Sequence, residues 1–211
     1  MSERFNVDVD DVLGSSYYVT SLTSSSYNAT IDGTVTVTVN LKDVYGTNVN
    51  GASVTVTASS GTFTQLNGSN ITAAASVTGT TNASGTFTLT YKCSEWGLIT
   101  FSANNTSMQI RVTGWKEVSV TGATSYATLY VNGEERLASF RYYRASYNFT
   151  ATTTVTLHTN AIPSSYRPPA GVNMDMLRSD LTGSVNEDGD ISVVSWATGS
   201  KTINMSAMWR Y

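Results

Sequence analysis

Residues 34–63 read TVTVTVNLKDVYGTNVNGASVTVTASSGTF, two runs of apolar and hydroxyl alternation around a turn-rich centre. Successive side chains on a strand point to opposite faces, so Val35, Val37 and Val39 share one face while Thr34, Thr36 and Thr38 share the other. Such a strand buries one side and wets the other, which favours an antiparallel sheet packed on a second layer. Asp43, Tyr45-Gly46 and Asn50-Gly51 accept turn geometry, and the alternation resumes over Val54-Thr55-Val56-Thr57. Only 13% of residues are charged and no sustained helical period occurs. The fold class expected is all-β.

Further strands are expected at residues 71–77, 86–91, 99–103 and 108–113, giving about seven strands before Gly114, the count of an Ig-like sandwich. Gly114-Trp115-Lys116 marks a boundary after which aromatic content rises. Beyond it, Asn132-Gly133 reads as a two-residue hairpin turn between residues 129–131 and 136–140. Strands follow at 142–149, 153–158, 172–177, 183–185, 191–196 and 202–209, with a loop at 160–171 that holds all three prolines and a turn at Glu187-Asp188-Gly189-Asp190. The expected organisation is an N-terminal arm (1–18), an Ig-like β-sandwich (19–114) and a second antiparallel β-sandwich, a knob (115–211).

Charge narrows the partners. The net charge of −3 gives no basis for nucleic-acid binding, and no run is apolar enough for membrane insertion. Up to Gly114 there are 7 acids against 4 bases, and beyond it 8 against 8. Asp8, Asp10 and Asp11 concentrate the excess in the arm, which reads as an attachment segment or a solvated tail. The single Cys93 forms no intramolecular disulfide and reads as a buried thiol near Trp96. The absence of a basic and apolar leader at the N-terminus points to synthesis as a cytosolic chain.

The chain offers little for catalysis. His158 is the only histidine, which excludes a multi-histidine metal site and reads as a surface or loop-bonded imidazole. The 186–190 segment lacks the alternating acids of an EF-hand and reads as a hairpin turn. Glu134, Glu135, Asp175 and Asp180 are the acids from which a glycoside-cleaving pair would have to come. Neither a cofactor nor a metal is expected. Residues 140–149, FRYYRASYNF, form the densest aromatic and basic cluster. Arg141, Tyr143 and Arg144 are candidates to stack on or hydrogen-bond a sugar or carboxylate, as are Tyr166 and Arg167 in the proline loop. Alternation assigns Phe140 and Tyr142 to the opposite face, in a core or subunit interface. Asn-x-Ser/Thr triplets at Asn28, Asn70, Asn148 and Asn204 carry no weight in so Asn-, Ser- and Thr-rich a chain.

Two resemblances extend this reading. Asp43, Gly46, Val49, Gly61, Asn82, Gly85, Gly97 and Ala103 fall on a pattern that resembles the bacterial Ig-like domains of invasin and intimin adhesins and of many phage structural proteins. Ile162-Pro163-Ser164-Ser165-Tyr166-Arg167-Pro168, followed by GSVNEDGDISVVS and a closing aromatic strand, is similar to C-terminal knobs of tailed-phage fibre, baseplate and receptor-binding proteins. Residues 172–181 depart from that family's usual apolar strand. The resemblances imply a non-enzymatic protein, made in a host cytoplasm and displayed on a virion surface as a head fibre, capsid decoration or tail component. They also imply a homotrimeric knob, other virion proteins as partners, and a host glycan or protein as receptor. A prokaryotic cell-surface adhesin and a small polysaccharide-degrading tailspike are the alternatives.

Overall fold

The computed structural model describes residues 18–211; the arm at 1–18 and its Asp8, Asp10 and Asp11 lie, but for Tyr18, outside the described residues. The fold is all-β. Its one helical element among the described residues is a 3₁₀ turn at Ser164–Tyr166. The chain divides into two compact units, the first ending at Thr113 and the second spanning Gly114–Tyr211.

The first unit contains β1 (Val19–Ser24), β2 (Asn28–Thr30), β3 (Thr34–Lys42), β4 (Ser53–Ala58), β5 (Thr62–Leu66), β6 (Ser69–Ala74), β7 (Ser76–Thr80), β8 (Thr86–Lys92), β9 (Gly97–Ala103) and β10 (Thr106–Thr113). They form two five-stranded sheets, ordered β1-β3-β8-β5-β6 and β2-β10-β9-β4-β7, in an Ig-like sandwich. Neighbouring strands are antiparallel except for β2, which runs parallel to β10. Alternation does what β3 requires: Val35, Val37, Val39 and Leu41 are buried while the threonines between them keep contact with solvent. Each such buried aliphatic side chain stabilises the fold by about 1.5–3 kcal/mol. Phe63, Tyr91 and Phe101 meet at the centre with ring centroids 4.9–5.8 Å apart. The Tyr91 hydroxyl donates to the Ser60 carbonyl at 2.7 Å, which satisfies it in the core.

The Asp-x-x-Gly and Asn-x-x-Gly motifs have the same local cause. Asp43 Oδ1 accepts from the amides of Tyr45 and Thr47, and Asn82 Oδ1 accepts from those of Ser84 and Thr86. Both side chains thereby fold their own loop, as short polar residues do in turns. Two sequence expectations change here. The single strand expected at 71–77 is two strands in different sheets: the chain leaves one layer after Ala74 and enters the other at Ser76. β1, β2 and β5 add to the expected set because hydroxyl-rich strands carry a weak periodic signal.

The second unit contains β11 (Lys116–Val118), β12 (Ala127–Asn132), β13 (Leu137–Phe149), β14 (Thr154–His158), β15 (Val172–Met176), β16 (Leu181–Val185), β17 (Ile191–Ser195) and β18 (Gly199–Arg210). Its layers come from one continuous eight-stranded antiparallel sheet, ordered β11-β12-β13-β18-β15-β16-β17-β14. Tyr142 on the third strand in that order touches His158 on the eighth, with ring centroids 5.8 Å apart. A flat sheet would hold those strands about 24 Å apart at a spacing of about 4.8 Å, so the sheet folds over on itself. The fold occurs at β15, where Val172, Asn173 and Met174 pair with β16 and Asp175 and Met176 pair with β18. Gly183 on β16 permits the close approach, since a Cβ there would lie 2.7 Å from Met205 Sδ.

The Asn132-Gly133 hairpin is also built differently from the two-residue turn expected. Asn132 pairs with Leu137, leaving a four-residue loop, and Asn132 Oδ1 accepts from the amides of Glu134 and Glu135. Arg136 takes the left-handed conformation with φ 55°. The two strands expected at 136–140 and 142–149 are the single long strand β13, which starts at Leu137 because Arg136 belongs to the loop.

Gly79 sits on β7 directly over the Phe87 ring, where an added Cβ would come within 2.4 Å of ring carbons. Gly79→Ala should therefore destabilise the first unit by about 1–3 kcal/mol through overpacking. Urea denaturation of the variant beside the parent chain measures this; an unchanged midpoint would show that the ring can move aside.

Candidate functional site

β13 positions most of the candidate side chains. Phe140 and Tyr142 point into the core of the second unit, while Arg141 and the half-exposed Tyr143 point out. The register on either side fixes their neighbours. Arg141 stands opposite Thr128 on β12 and Ser206 on β18, and Ser206 in turn stands opposite Asp175 on β15. A transverse row Thr128–Arg141–Ser206–Asp175 therefore crosses the outer face. In the next row Tyr143 pairs with Asn204, the Tyr143 amide donates to Tyr126 O, and the Leu177 amide donates to Asn204 O.

Two shallow depressions lie on this face and share Arg141. One, of about 360 Å³, is lined by Arg141, Asp175, Leu177, Asn204 and Ser206 together with Met176 and Met205. The other, of about 270 Å³, is lined by residues 124–128 with Arg141 and Tyr143. Among the described residues neither the Arg141 guanidinium nor the Asp175 carboxylate has a hydrogen-bond or ion-pair partner. No second acid lines the depression that holds Asp175, so a paired-carboxylate arrangement is not assembled there.

The remaining candidates are occupied within the protein. Arg144 lies where β13 shifts register against β18, between Arg144 and Tyr147, and its guanidinium is held over the rings of Tyr126 and Tyr147 at 5.0 and 4.7 Å. Such contacts stabilise by about 0.5–2 kcal/mol each and fix the arginine in place. Tyr166 ends the 3₁₀ turn, packs edge-on against Tyr211, and its carbonyl accepts from Trp209 Nε1 at 2.8 Å. Arg167 Nε donates to the Ile162 carbonyl, and Nη2 donates to Asn160 Oδ1. Both residues pin the proline loop, and neither lines the two depressions.

The other polar groups have structural partners too. Asp180 accepts from Arg178 Nε at 2.9 Å and from the buried Lys201 Nζ at 2.6 Å, and these bonds, Arg178 first, hold its carboxyl well below the usual range. Asn186 and Asp190 bond to each other across their turn, and Asp190 also accepts from the Asn160 amide. His158 is half-buried rather than on the surface, with Nε2 3.2 Å from the Tyr142 hydroxyl. Among the described residues no three His, Cys, Asp or Glu side chains gather as a metal group would, and no helix is long and apolar enough to cross a membrane.

Sequence reasoning missed Asp175 as a neighbour of Arg141, and missed Asn204, Ser206 and Tyr126 as parts of one face. Alternation on β18 marks Asn204 and Ser206 as outward, opposite buried Ile203 and Met205. Which strands flank β13 was the missing information.

No protein-family model matches the chain, and no match among curated proteins was found. Among solved structures, the adhesin InvE of Yersinia pseudotuberculosis is 15% identical over 94% of this chain, with a TM-score of 0.38. This chain spans 61% of the InvE chain. The D0-D1 domain of intimin is 16% identical over 92% of this chain and all (100%) of its own, with a TM-score of 0.35. The collagen adhesin of S. aureus is 12% identical over 94% of this chain and 82% of its own, with a TM-score of 0.32.

Burial, and then the nearby Arg144 charge, push the His158 pKa below its ordinary value of 6.5. The unfolded chain therefore takes up a proton more readily than the folded one, so stability is full above that value and falls as pH drops through it. The unfolding midpoint of the second unit should fall between about pH 7 and 5, and His158→Gln should flatten the profile in that window. Asp180, whose pKa is also lowered, adds a separate loss only below the ordinary carboxylate value of 3.8. Thermal unfolding at stepped pH separates the two.

Proposed function

We propose that this chain is a non-enzymatic structural protein displayed on the outside of a tailed-phage virion, in which the first unit spaces the second from its anchor and the second attaches to the host. The observation that carries this reading is the outer face of β13. There an unpartnered Arg141 and a half-exposed Tyr143 stand beside open depressions, without a facing pair of acids. Exposed aromatic and arginine side chains on a rigid sheet are the residues from which binding hot spots are made. The phage-like motif at 162–168 supports the same reading, because Tyr166 and Arg167 tie the proline loop to Trp209 and Ile162 and so stiffen the knob. Arg144, Tyr166 and Arg167 then act as supports rather than contacts. Asp8, Asp10 and Asp11 would attach the chain to other virion proteins, and the knob would assemble as a homotrimer.

A second reading is a prokaryotic cell-surface adhesin module. The resemblance of the first unit's loop motifs to invasin and intimin favours it.

Antibody against residues 115–211 should label the exterior of purified particles in electron micrographs. Fluorescently labelled chain should bind host cells, and Arg141→Ala with Tyr143→Ala should weaken that binding by at least about tenfold. Unlabelled particles together with an export signal in the source gene would favour the adhesin. Undiminished cell binding by the double variant would remove the β13 face from attachment. Light scattering should return three times the mass of one chain; a single-chain mass across the micromolar range would remove the trimer.

A further inference from the structure

We infer that the β13 face binds an anionic saccharide chain, with sugar rings in the two depressions and Arg141 holding an acid group between them. This rests on the attachment reading above and names the ligand class for that face.

Arg141 differs from its neighbours. Arg144 is held between two tyrosine rings, Arg167 bonds to the proline loop and Arg178 pairs with Asp180, whereas Arg141 makes no such bond. An arginine fork left open on a rigid strand suits a carboxylate or phosphate, which it grips with two parallel hydrogen bonds. Its surroundings suit hydroxyl groups. Beside the apolar Met176, Leu177 and Met205, the Asp175 carboxylate, the Asn204 amide and the Ser206 hydroxyl line one depression, and Thr124, Ser125 and Thr128 line the other beside the half-exposed ring of Tyr143. These groups accept from and donate to sugar hydroxyls, while a tyrosine face covers the apolar side of a pyranose ring.

Other ligand classes fit less well. A nucleic acid presents a phosphate at every step, but this row holds one cation and places the Asp175 carboxylate two strands along from it. A protein partner is met by an apolar centre with charge at the rim, whereas here Arg141 stands in the middle of the row with Asp175 at its end, exposed Leu177 lies beside Asp175, and Tyr130 and Met208 lie one row away. From Thr128 to Asp175 the row crosses three strand spacings, about 14 Å. That length accommodates a short oligosaccharide rather than a single ring. The acid has two chemical sources, a uronic-acid carboxylate or a phosphodiester between sugars, and both match the guanidinium.

Calorimetric titration of the full chain with an oligosaccharide that carries one uronic acid, with one that carries a single phosphodiester and with a neutral glucan tests the inference. The parent chain should bind an anionic probe at least about tenfold more tightly than the glucan, and the anionic probe preferred identifies the source. Arg141→Gln should erase that preference without moving the unfolding midpoint, Tyr143→Ala should weaken anionic and neutral binding alike, and added salt should weaken only the anionic probe. Failure of both anionic probes to bind, or unchanged affinity in Arg141→Gln, would overturn the inference. Binding of the neutral glucan alone would overturn it while leaving host attachment standing. Anionic binding by a chain that does not adhere to host cells would uphold the saccharide site and remove attachment instead.

Discussion

Each strand in this protein that is apolar on one side must have that side covered, and the two units meet this demand differently. In the first, β3 and β8 present Val37, Val39, Phe87 and Leu89 to a second sheet that supplies Val56, Ile99, Phe101 and Ile110. The two layers are separate sheets, and the chain crosses between them at Ala75. In the second, a single sheet supplies both layers because β15 divides its hydrogen bonds between β16 and β18. Without a disulfide to constrain the unfolded chain, this mutual covering of faces carries the stability.

The same division of bonds assembles the outer face. β15 reaches β18 only through Asp175 and Met176, and that short pairing places Asp175 in line with Arg141. Phe140 and Tyr142 on the inner side of β13 anchor the strand in the core, so Arg141 and Tyr143 project from a backbone with little freedom to move. A contact surface mounted on strands is held more closely than one mounted on loops, which lowers the ordering needed when a ligand arrives. Tyr126 has a dual position: it lines one depression and stacks on Arg144, linking the face to the Tyr142–His158 contact beneath it.

Much of the fold was legible because period-two alternation is a local property. Val35, Val37 and Val39 announce β3, and Phe140 with Tyr142 announce the inner face of β13. Partner choice was not legible. Nothing in residues 71–77 says that the chain changes sheets, because Ala74 and Ala75 suit either layer equally. Asn132-Gly133 carried a strong turn signal, yet the structure uses the Asn132 side chain to close a longer loop and places Arg136 in the left-handed conformation. Within the candidate site, the split of Arg141 from Phe140 followed from sequence. The capture of Arg144 between two rings depended on a register shift, and that of Tyr166 and Arg167 depended on the distant Trp209 and on Asn160. Exposure of a polar or aromatic side chain is set by such non-local partners, which composition does not reveal.

Cys93 lies fully buried in the first unit, and burial raises its thiol pKa further from the range where the reactive thiolate forms. With no second cysteine in the chain, no disulfide within it forms or breaks with the redox poise of its surroundings. The same fold would therefore form alike in reducing and in oxidising surroundings, needing no oxidant to mature.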